Sequence, residues 1–333
     1  MSPTLLDIDD LHVEFPVYNG CLKVVDGVSL MAHAGERLGL VGESGCGKTT
    51  CGRCIVRLVK PSAGKIRFSS TRMGKVIDLV RPGKEEWKQV QTEMQMIFQN
   101  PNAALNPVFT IGTQFRTALQ YVRSESTHKE ETLSRAITAL QEVQLPDPRR
   151  ILKSYPFQLS GGMCQRVCIA MALASEPELL IADEPTTALD VTVQDQILQL
   201  LHALVQRKGT SVIFITHNLG VIRNFAHLVH IMYAGTVVES GPPREIFSNP
   251  LHPYTKGLMS AVPKLTATSM SRGIPGSIPD YFAPPTGCRF HPRCTERFPI
   301  CEQTRPPFFQ VSEDHKVACF LYQKEGKDLR YAA

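Results

Sequence analysis

The segment GESGCGKT, residues 42–49, has the residue types and the spacing of a phosphate-binding loop, G-x-x-x-x-G-K-[ST]. Gly45 and Gly47 would let backbone N–H groups turn towards phosphate oxygens, and Lys48 would reach the β- and γ-phosphates. The Thr49 hydroxyl would hold Mg²⁺. The alternative is a glycine-rich turn with a surface lysine, and the flanking segments decide between the two.

Two carboxylates, Asp183 and Glu184, close the apolar stretch in ELLIADEP, residues 178–185. An aspartate at a strand end can orient a Mg²⁺ shell, and the next glutamate can polarise a water for in-line attack on a phosphate. Strands often end in charged residues, so the pattern gains its meaning from the phosphate loop upstream.

Gln99 and His217 end two further apolar runs, MQMIFQ (94–99) and SVIFITH (211–217). In an open parallel sheet the carboxyl ends of the strands line the ligand crevice, so both side chains are expected to face the γ-phosphate. The alternative for each is an incidental loop residue, but two strands that end in the same way favour the functional interpretation.

The elements around the phosphate loop are those that its chemistry requires. RLGLVG (37–42) has strand character, and TTCGRCIVRLV (49–59) places apolar residues at helical spacing without proline. A helix that starts at the loop presents its N–H groups and the positive end of its dipole to an anion. Residues 100–165 are helical and amphipathic, as in ETLSRAITALQEVQL.

Composition narrows the class of protein. The 333 residues, 43% hydrophobic and 20% charged, suit one large domain with a smaller one, or two of middling size. No stretch approaches the roughly 18 uncharged apolar residues of a membrane span, and the acidic N-terminal segment is unlike a signal peptide. A cytosolic chain is therefore expected, and a net charge of +5 without a basic block gives no indication of nucleic acid as a partner.

The segment LSGGMCQRV, residues 159–167, predicts a second anion-binding nest at the start of a helix. One phosphate loop does not need two such nests for one nucleotide. Both are explained if two chains pair head-to-tail, each presenting its SGG to the ATP of the other.

With this segment the chain resembles an ATP-binding subunit of an ABC transporter. The phosphate loop, Gln99, LSGGM, LLIADEP, the ALD at 188–190 and His217 occur in the order of that family. The resemblance implies an α/β fold: a P-loop NTPase (RecA-like) core with an antiparallel β subdomain and a helical subdomain at about 100–170. The nucleotide-binding domain would span residues 1–250, and a small cysteine-rich C-terminal extension would span 251–333.

The resemblance also assigns roles. It implies nucleotide contacts from Phe15, Gly42, Glu43, Ser44, Gly45, Cys46, Gly47, Lys48, Thr49, Thr50, Gln99, Asp183, Ser160, Gly161, Gly162 and Asp190. Mg²⁺ would be bound by Thr49, Gln99 and Asp183. Glu184 would be the general base, and His217 and Gln99 would assist it at the γ-phosphate.

Three of these roles are specific to the family. Ser160 and Gly162 would cap the γ-phosphate of the opposite chain, and Asp190 would couple the two sites. Phe15 would stack on adenine; the alternative is an inward-facing strand residue. Met163 replaces the glutamine of the common LSGGQ, as in the peptide-importer branch, and Cys164 stands where a polar or basic residue is usual.

The branch is indicated by HPYTKGLMSAVP (252–263) and ADEPTTALDVTVQ (182–194), which resemble dipeptide, oligopeptide and nickel importers. The chain would hydrolyse ATP at the cytoplasmic face of the inner membrane, as a peripheral subunit that energises peptide import. Its partners would be two transmembrane permease subunits, a second, non-identical ATPase chain and, indirectly, an extracytoplasmic solute-binding protein. The alternatives are a nickel or metallophore cargo, or a soluble ABC ATPase acting on nucleic acid or the ribosome.

Four cysteines near the end of the chain, Cys288, Cys294, Cys301 and Cys319, are separated by five, six and seventeen residues. Disulfides are disfavoured in a cytosolic protein, and thiolates suit zinc or an iron–sulfur cluster. The spacing does not decide between them, and His291 or His315 could replace a thiolate. The resemblance implies a 4Fe–4S cluster, ahead of zinc and of four free thiols.

Overall fold

The computed structural model describes residues 2–122, 129–187, 189–261 and 273–323. Parts of three predicted segments lie outside the described residues. These are 123–128 of the helical subdomain, Ala188 of the ALD triplet, and 262–272 and 324–333 of the C-terminal extension.

The described elements are strands and short to medium helices. The strands are β1 (Thr4–Val17), β2 (Gly20–His33), β3 (Arg37–Val41), β4 (Ala63–Ser70), β5 (Lys75–Asp78), β6 (Met94–Ile97), β7 (Leu179–Asp183), β8 (Ser211–Thr216), β9 (Leu228–Tyr233), β10 (Thr236–Gly241), β11 (Phe309–Ser312) and β12 (His315–Val317). The α-helices are α1 (Lys48–Ile55), α2 (Lys84–Glu93), α3 (Pro101–Ala104), α4 (Ile111–Val122), α5 (Lys129–Glu142), α6 (Pro148–Lys153), α7 (Gly161–Leu173), α8 (Val191–Lys208), α9 (Leu219–Phe225), α10 (Pro243–Ser248), α11 (Pro253–Ser260) and α12 (Pro299–Gln303).

The chain divides into two compact units, each built from three segments. Unit 1 comprises Met1–Leu5, Ala32–Glu36 and Phe68–Phe214, and unit 2 comprises Leu6–Met31, Arg37–Arg67 and Ile215–Ala333. This division does not test the domain boundary expected between residues 250 and 251, which stays a prediction.

Unit 2 contains the strand that leads into the phosphate loop. β3 runs parallel to β9, with Leu40 opposite His230, and is buried from Leu38 to Val41. A nearly continuous apolar run is typical of a parallel strand that is covered on both faces. On the other side of β9 follow β10, β12 and β11, each antiparallel to its neighbour. The last two strands belong to the C-terminal extension, so the extension shares a sheet with the strand that holds the loop.

Unit 1 contains a parallel pair of strands that places two of the predicted site residues. β6 and β7 pair in parallel, from Met94 opposite Leu179 to Ile97 opposite Ala182, and all of β7 is buried. Because the two strands end at the same level, the residues that follow them, Gln99 and Glu184, emerge side by side.

Unit 1 also contains the helices α4 to α7, which pack against one another through a shared apolar core. Phe115, Leu140, Ile151 and Val167, one from each helix or its end, are completely buried or nearly so. Val143, at the end of α5, accepts a hydrogen bond from the Arg166 side chain of α7. The helical character predicted for this part of the chain is confirmed.

The longest strands of unit 2 form a smaller sheet in which β1 lies between β2 and β4. Alternate residues of β1, including Leu6, Ile8, Leu11 and Val13, are buried, with an irregularity at Asp10, whose φ is 51°. Over the described part of the chain, no helix combines the length and the apolar character needed to cross a membrane.

Candidate nucleotide-binding site

The phosphate loop joins β3 to α1 and leaves no room for side chains at two of its glycines. Gly47, the residue before the helix, has a φ of 102°, and a Cβ there would lie 2.8 Å from the Val24 carbonyl oxygen. A Cβ at Gly42 would collide with the Met232 carbonyl. The backbone therefore approaches its neighbours closely at these two glycines, whereas a Cβ at Gly45 would have no atom within 4 Å. A loop of this shape can turn its N–H groups towards an anion.

Lys48 is the first residue of α1, and its side chain folds back over the loop. The side chain is buried, and Nζ donates to the carbonyl oxygens of Gly42 and Glu43, at 2.9 Å each. Thr49 and Thr50 follow in the first turn, both half-buried, and this turn carries no acidic residue. A cation held by neutral carbonyls at a helix N-terminus is the arrangement that stabilises a bound phosphate.

Cys46 contributes to the loop through its backbone, because its side chain is buried beneath it. Its Sγ lies 3.8 Å from Lys48 Nζ, and burial raises the pKa of the thiol, so it stays neutral. Ser44 and Gly45 are exposed at the tip of the loop.

Three residues of unit 2 that no sequence motif indicates hold the phosphate loop in place. The N–H of Glu43 donates to the Tyr254 hydroxyl at 2.9 Å, and the Tyr281 hydroxyl donates to the Gly45 carbonyl at 2.8 Å. Arg293 forms an ion pair with the Glu43 carboxylate at 2.9 Å. All three come from the C-terminal extension, far along the chain from the loop.

Unit 1 brings Gln99 and Glu184 together, as the strand ends predict. Gln99 Nε2 donates to Glu184 Oε2 at 3.1 Å, and the Thr187 hydroxyl donates to the same oxygen at 2.9 Å. Glu184 is 8% exposed and Asp183 is 1% exposed. Two neutral donors thus fix a nearly buried carboxylate at the end of β7, which is an arrangement suited to a general base.

Ser160 caps the N-terminus of α7. Its Oγ accepts from the N–H of Met163 at 3.3 Å, and both Ser160 and Gly161 are exposed. Cys164, the unusual residue of this segment, points inwards: its Sγ donates to the Pro156 carbonyl at 3.5 Å, and the side chain is completely buried. The exposed nest and the buried cysteine therefore lie on opposite faces of the same helical turn.

Asp190 caps the N-terminus of α8, as Ser160 caps that of α7. Its carboxylate accepts from the N–H of Val193 at the N-terminus of α8, and the side chain is exposed. Val193 also lies against Gly162, where an added Cβ would come within 2.9 Å of its Cγ1. Within unit 1, the SGG segment and the start of α8 are thus in contact.

The remaining two predicted residues lie at the surface of unit 2. Phe15, near the end of β1, is 37% exposed, which argues against the inward-facing alternative for its ring. Tyr18, just beyond it, is fully exposed. His217 follows β8 and is exposed.

The four C-terminal cysteines line one small cavity in unit 2, together with His252, Phe290 and His291 and further apolar side chains. None of the four forms a disulfide. Burial raises the pKa of Cys288 to about 11 and that of Cys319 to about 12, and it raises that of Cys294 as well.

Among the described residues, no group of three or more His, Cys, Asp or Glu side chains is arranged so that it could hold a metal ion. The structure therefore brings the predicted ligands Cys288, Cys294, Cys301 and Cys319 to the lining of one cavity, and the iron–sulfur cluster and zinc stay predictions.

Two family profiles match the chain. That of the ABC transporter family matches residues 25–187, and that of the oligopeptide/dipeptide transporter C-terminal region matches residues 238–301. The first match contains the phosphate loop, Gln99, the SGG segment and Glu184. The second ends at the third of the four cysteines.

Curated relatives match over nearly the full length. The dipeptide transport ATP-binding protein DppD of Bacillus subtilis (strain 168) is 42% identical over 325 residues, which cover 97% of this chain and 96% of that protein. The oligopeptide transport ATP-binding protein AppD of the same organism is 42% identical over 98% of this chain and 99% of its own length. A putative peptide import ATP-binding protein of Brucella abortus (strain 2308) is also 42% identical.

Solved structures of ATP-binding cassettes share the fold. The bacterial ABC transporter cassette MJ0796, in a dimeric post-hydrolysis state bound to ADP and Pi, is 28% identical with a TM-score of 0.64 and covers 72% of this chain and 99% of its own. The cbiO1 protein of Clostridium perfringens is 25% identical with a TM-score of 0.60, and the match covers 74% of this chain and 91% of cbiO1. The chain has the mixed α/β fold of the P-loop cassette ATPases, and it belongs to the ABC transporter ATP-binding proteins of the oligopeptide/dipeptide type.

Proposed function

We propose that this chain is the ATP-hydrolysing subunit that energises an importer of dipeptides or oligopeptides. The observation that carries the hydrolytic part is the Glu184 carboxylate, nearly buried at the end of β7 and held by Gln99 and Thr187. The peptide cargo is supported by the full-length similarity to dipeptide and oligopeptide transport ATP-binding proteins.

Phosphate binding is the task we assign to the phosphate loop of unit 2. The loop N–H groups would bind the β- and γ-phosphates at the positive end of α1, and Lys48 would exchange its carbonyl partners for phosphate oxygens. This exchange is favourable because a buried ammonium gains an anionic partner in place of neutral ones.

Water activation is the task we assign to unit 1. Glu184 would accept a proton from the attacking water, and Gln99 would hold the carboxylate in orientation and contact the same water. Mg²⁺ would neutralise charge on the phosphates, and Thr49, Gln99 and Asp183 stay its predicted ligands. Their hydroxyl, amide and carboxylate oxygens are donors that this cation prefers.

Pairing with a second ATPase chain accounts for the exposed SGG segment. Ser160 Oγ accepts from the N–H of Met163 as the helix cap, and its own hydroxyl proton is still available to a ligand. This hydroxyl and the N–H groups of the first turn of α7, including that of Gly162, would cap the γ-phosphate of the other chain's ATP. We assign a peripheral place at the cytoplasmic face of the membrane, on two permease subunits supplied with peptide by a solute-binding protein. The second ATPase chain would be non-identical.

A 4Fe–4S cluster in the cysteine cavity is the further part of this proposal. Its support is that all four thiols line one cavity of unit 2 and that thiolates are the ligands of such clusters. Anaerobically purified protein should be brown, with absorbance near roughly 400 nm. Colourless protein that contains stoichiometric zinc instead would contradict the cluster and leave the ATPase assignment untouched.

The ATPase assignment is tested on the co-purified complex of this chain with its permeases, reconstituted in lipid vesicles. Hydrolysis of ATP should rise when the solute-binding protein is added with bound peptide, and it should rise less when that protein is added empty. Hydrolysis that is indifferent to peptide would contradict an importer role for peptides.

A further inference from the structure

The C-terminal extension reaches the phosphate loop through a buried arginine. Arg293 donates from both terminal nitrogens to the Glu43 carboxylate, at 2.9 Å from Nη1 to Oε2 and at 3.3 Å from Nη2 to Oε1. The side chain of Arg293 is 6% exposed and that of Glu43 is 24% exposed. A two-pronged pair of this kind fixes the direction of the carboxylate as well as its charge.

The guanidinium is held in position before it meets the loop. Arg293 Nε donates to the Pro275 carbonyl at 2.8 Å and Nη2 to the Ile274 carbonyl at 3.2 Å, and the group lies against the Tyr233 ring. Its backbone belongs to a 3₁₀ turn, His291–Arg293, that directly precedes Cys294. The segment that contains the cysteines therefore fixes the position of the Arg293 guanidinium next to the phosphate loop.

A second arginine of the same segment supports the loop indirectly, through a neighbouring turn. Arg289, next to Cys288, donates to the Ala234 carbonyl and to Asp26 Oδ2, the latter at 3.0 Å. Gly235, the residue after Ala234, donates its N–H to the Cys46 carbonyl at 2.9 Å. The segment that carries Arg289 and Arg293 therefore contacts the phosphate loop and also the turn at residues 234–235, which is hydrogen-bonded to the loop.

Two tyrosine hydroxyls complete the contact. Tyr254 accepts the N–H of Glu43 and Tyr281 donates to the Gly45 carbonyl. Burial raises the pKa of both hydroxyls, so they remain neutral. These bonds fix peptide groups of the loop and so set the direction of the neighbouring N–H groups.

The negative charge of Glu43 explains why the position of Arg293 affects ATP binding. An anionic side chain within a phosphate-binding loop repels ATP. A Glu43 carboxylate without a partner would also compete with ATP for Lys48, whose Nζ donates to the backbone carbonyl of the same residue. The geometry points to Arg293 as a positioning residue for ATP binding: it neutralises Glu43 and turns its carboxylate away from the phosphates, while Tyr254 and Tyr281 hold the loop backbone. The C-terminal extension is then part of the nucleotide site.

The test measures the affinity of the full chain for ATP by calorimetry, with EDTA present to prevent hydrolysis. Arg293→Gln should raise the Kd by about tenfold or more, because a charge-assisted pair is lost and a bare carboxylate is left facing the ligand. Arg297→Gln is the matched control, since Arg297 lies in the same segment, is exposed and should leave the Kd unchanged.

Rescue separates positioning from a general structural role. Adding Glu43→Gln to Arg293→Gln should recover most of the lost affinity, since the unpaired carboxylate is removed, and Arg293→Lys should recover part of it. In the complex, KM for ATP should rise while kcat changes little. A merely structural role predicts that the double variant is no better than the single one, and that result would overturn the inference.

The tyrosines provide a test that does not depend on removing a buried charge. Tyr254→Phe and Tyr281→Phe keep their rings and should each raise the Kd severalfold. Tyr322→Phe, whose hydroxyl donates to the Leu251 carbonyl and not to the loop, should not. The inference rests on nucleotide binding at this loop: wild-type protein that fails to bind ATP would defeat the proposed function. Wild-type binding with unchanged Kd in Arg293→Gln would defeat only this inference.

Discussion

At the scale of single residues, the surroundings of Glu184 suit the general base that we propose. The carboxylate is 8% exposed, sits at a backbone φ of 45°, and accepts two hydrogen bonds on one oxygen from Gln99 and Thr187. We expect the carboxylate to accept the proton of the attacking water. A base held in this way needs no rearrangement when the reaction begins.

Replacing Glu184 with glutamine should slow hydrolysis by about 100-fold to 10,000-fold, the usual contribution of a general base. Binding of ATP should persist, because Lys48 and the loop are unchanged. Single-turnover hydrolysis and nucleotide affinity, measured on the same preparations, check both parts.

The matched control for this substitution is Glu176→Gln, in the turn three residues before β7 begins, where the side chain is exposed. Its hydrolysis rate should equal that of the wild type. Rates that fall equally in both variants would show that the loss comes from altered packing around β7 and not from a missing base.

Residues that act through local patterns could be predicted from the sequence, and residues that act across the fold could not. Gln99 and Glu184 follow apolar strands, and a parallel pair brings such ends together, so their contact was foreseeable. Arg293 and Tyr254 lie 250 and 211 positions from Glu43, and no local spacing indicates that they meet it. The inward direction of Cys164 also became visible only with the helix in place.

At the scale of elements, helix α7 has an exposed N-terminus, to which we assign a function, and a buried body. Its N-terminus is exposed and capped by Ser160, whereas Val167 and Ile169 farther along are buried in the helical core of unit 1. Substitutions at the first turn should therefore affect function more than folding.

Ser160→Ala tests this division of labour. Loss of the cap should lower the free energy of unfolding by about 0.5–2 kcal/mol, and ATP hydrolysis by the paired ATPase chains should fall much more than this stability loss explains. Chemical denaturation and ATPase rates of the assembled complex measure the two effects.

Asp147→Ala is the comparison, since Asp147 caps α6 in the same way, through a bond from the N–H of Arg150. That variant should lose at least as much stability and keep its hydrolysis rate. Equal losses of activity in the two variants would remove the SGG segment from the mechanism.

β9 carries a buried histidine that should make unit 2 sensitive to acid. Burial, aided by Lys316, lowers the pKa of His230 to about 3 in the folded protein, from 6.5. Between these values the unfolded chain binds the proton and the folded chain does not. The free energy of unfolding should therefore decrease as the pH falls from 6.5, by up to about 1.4 kcal/mol per pH unit from this residue.

His230→Leu should remove this contribution, because neither ring nitrogen of His230 has a hydrogen-bond partner within the described structure. The difference in unfolding free energy between variant and wild type should shift by about 2 kcal/mol in favour of the variant between pH 6.5 and pH 5. Urea titrations at the two pH values measure it, and a difference that stays constant would show that His230 is not the group that titrates.

At the scale of the whole molecule, the C-terminal extension is the part whose role changed most on going from sequence to structure. The sequence indicated an appended segment that identifies the branch. In the structure, β12 pairs with β10, so the extension continues the sheet that includes β3, the strand leading into the phosphate loop. This could not be predicted because strand order depends on contacts between distant segments, whereas the strand–loop–helix unit at residues 37–55 is set by local periodicity and glycine positions.

Uptake of labelled peptide into vesicles that contain the reconstituted complex is the most direct test that this chain powers import. With ATP on the side of the ATPase and the solute-binding protein on the other, peptide should accumulate in the wild-type complex. Accumulation should fall to the level without ATP when this chain carries Glu184→Gln, and Glu176→Gln should preserve it. Peptide uptake that continues unchanged with Glu184→Gln would contradict the account.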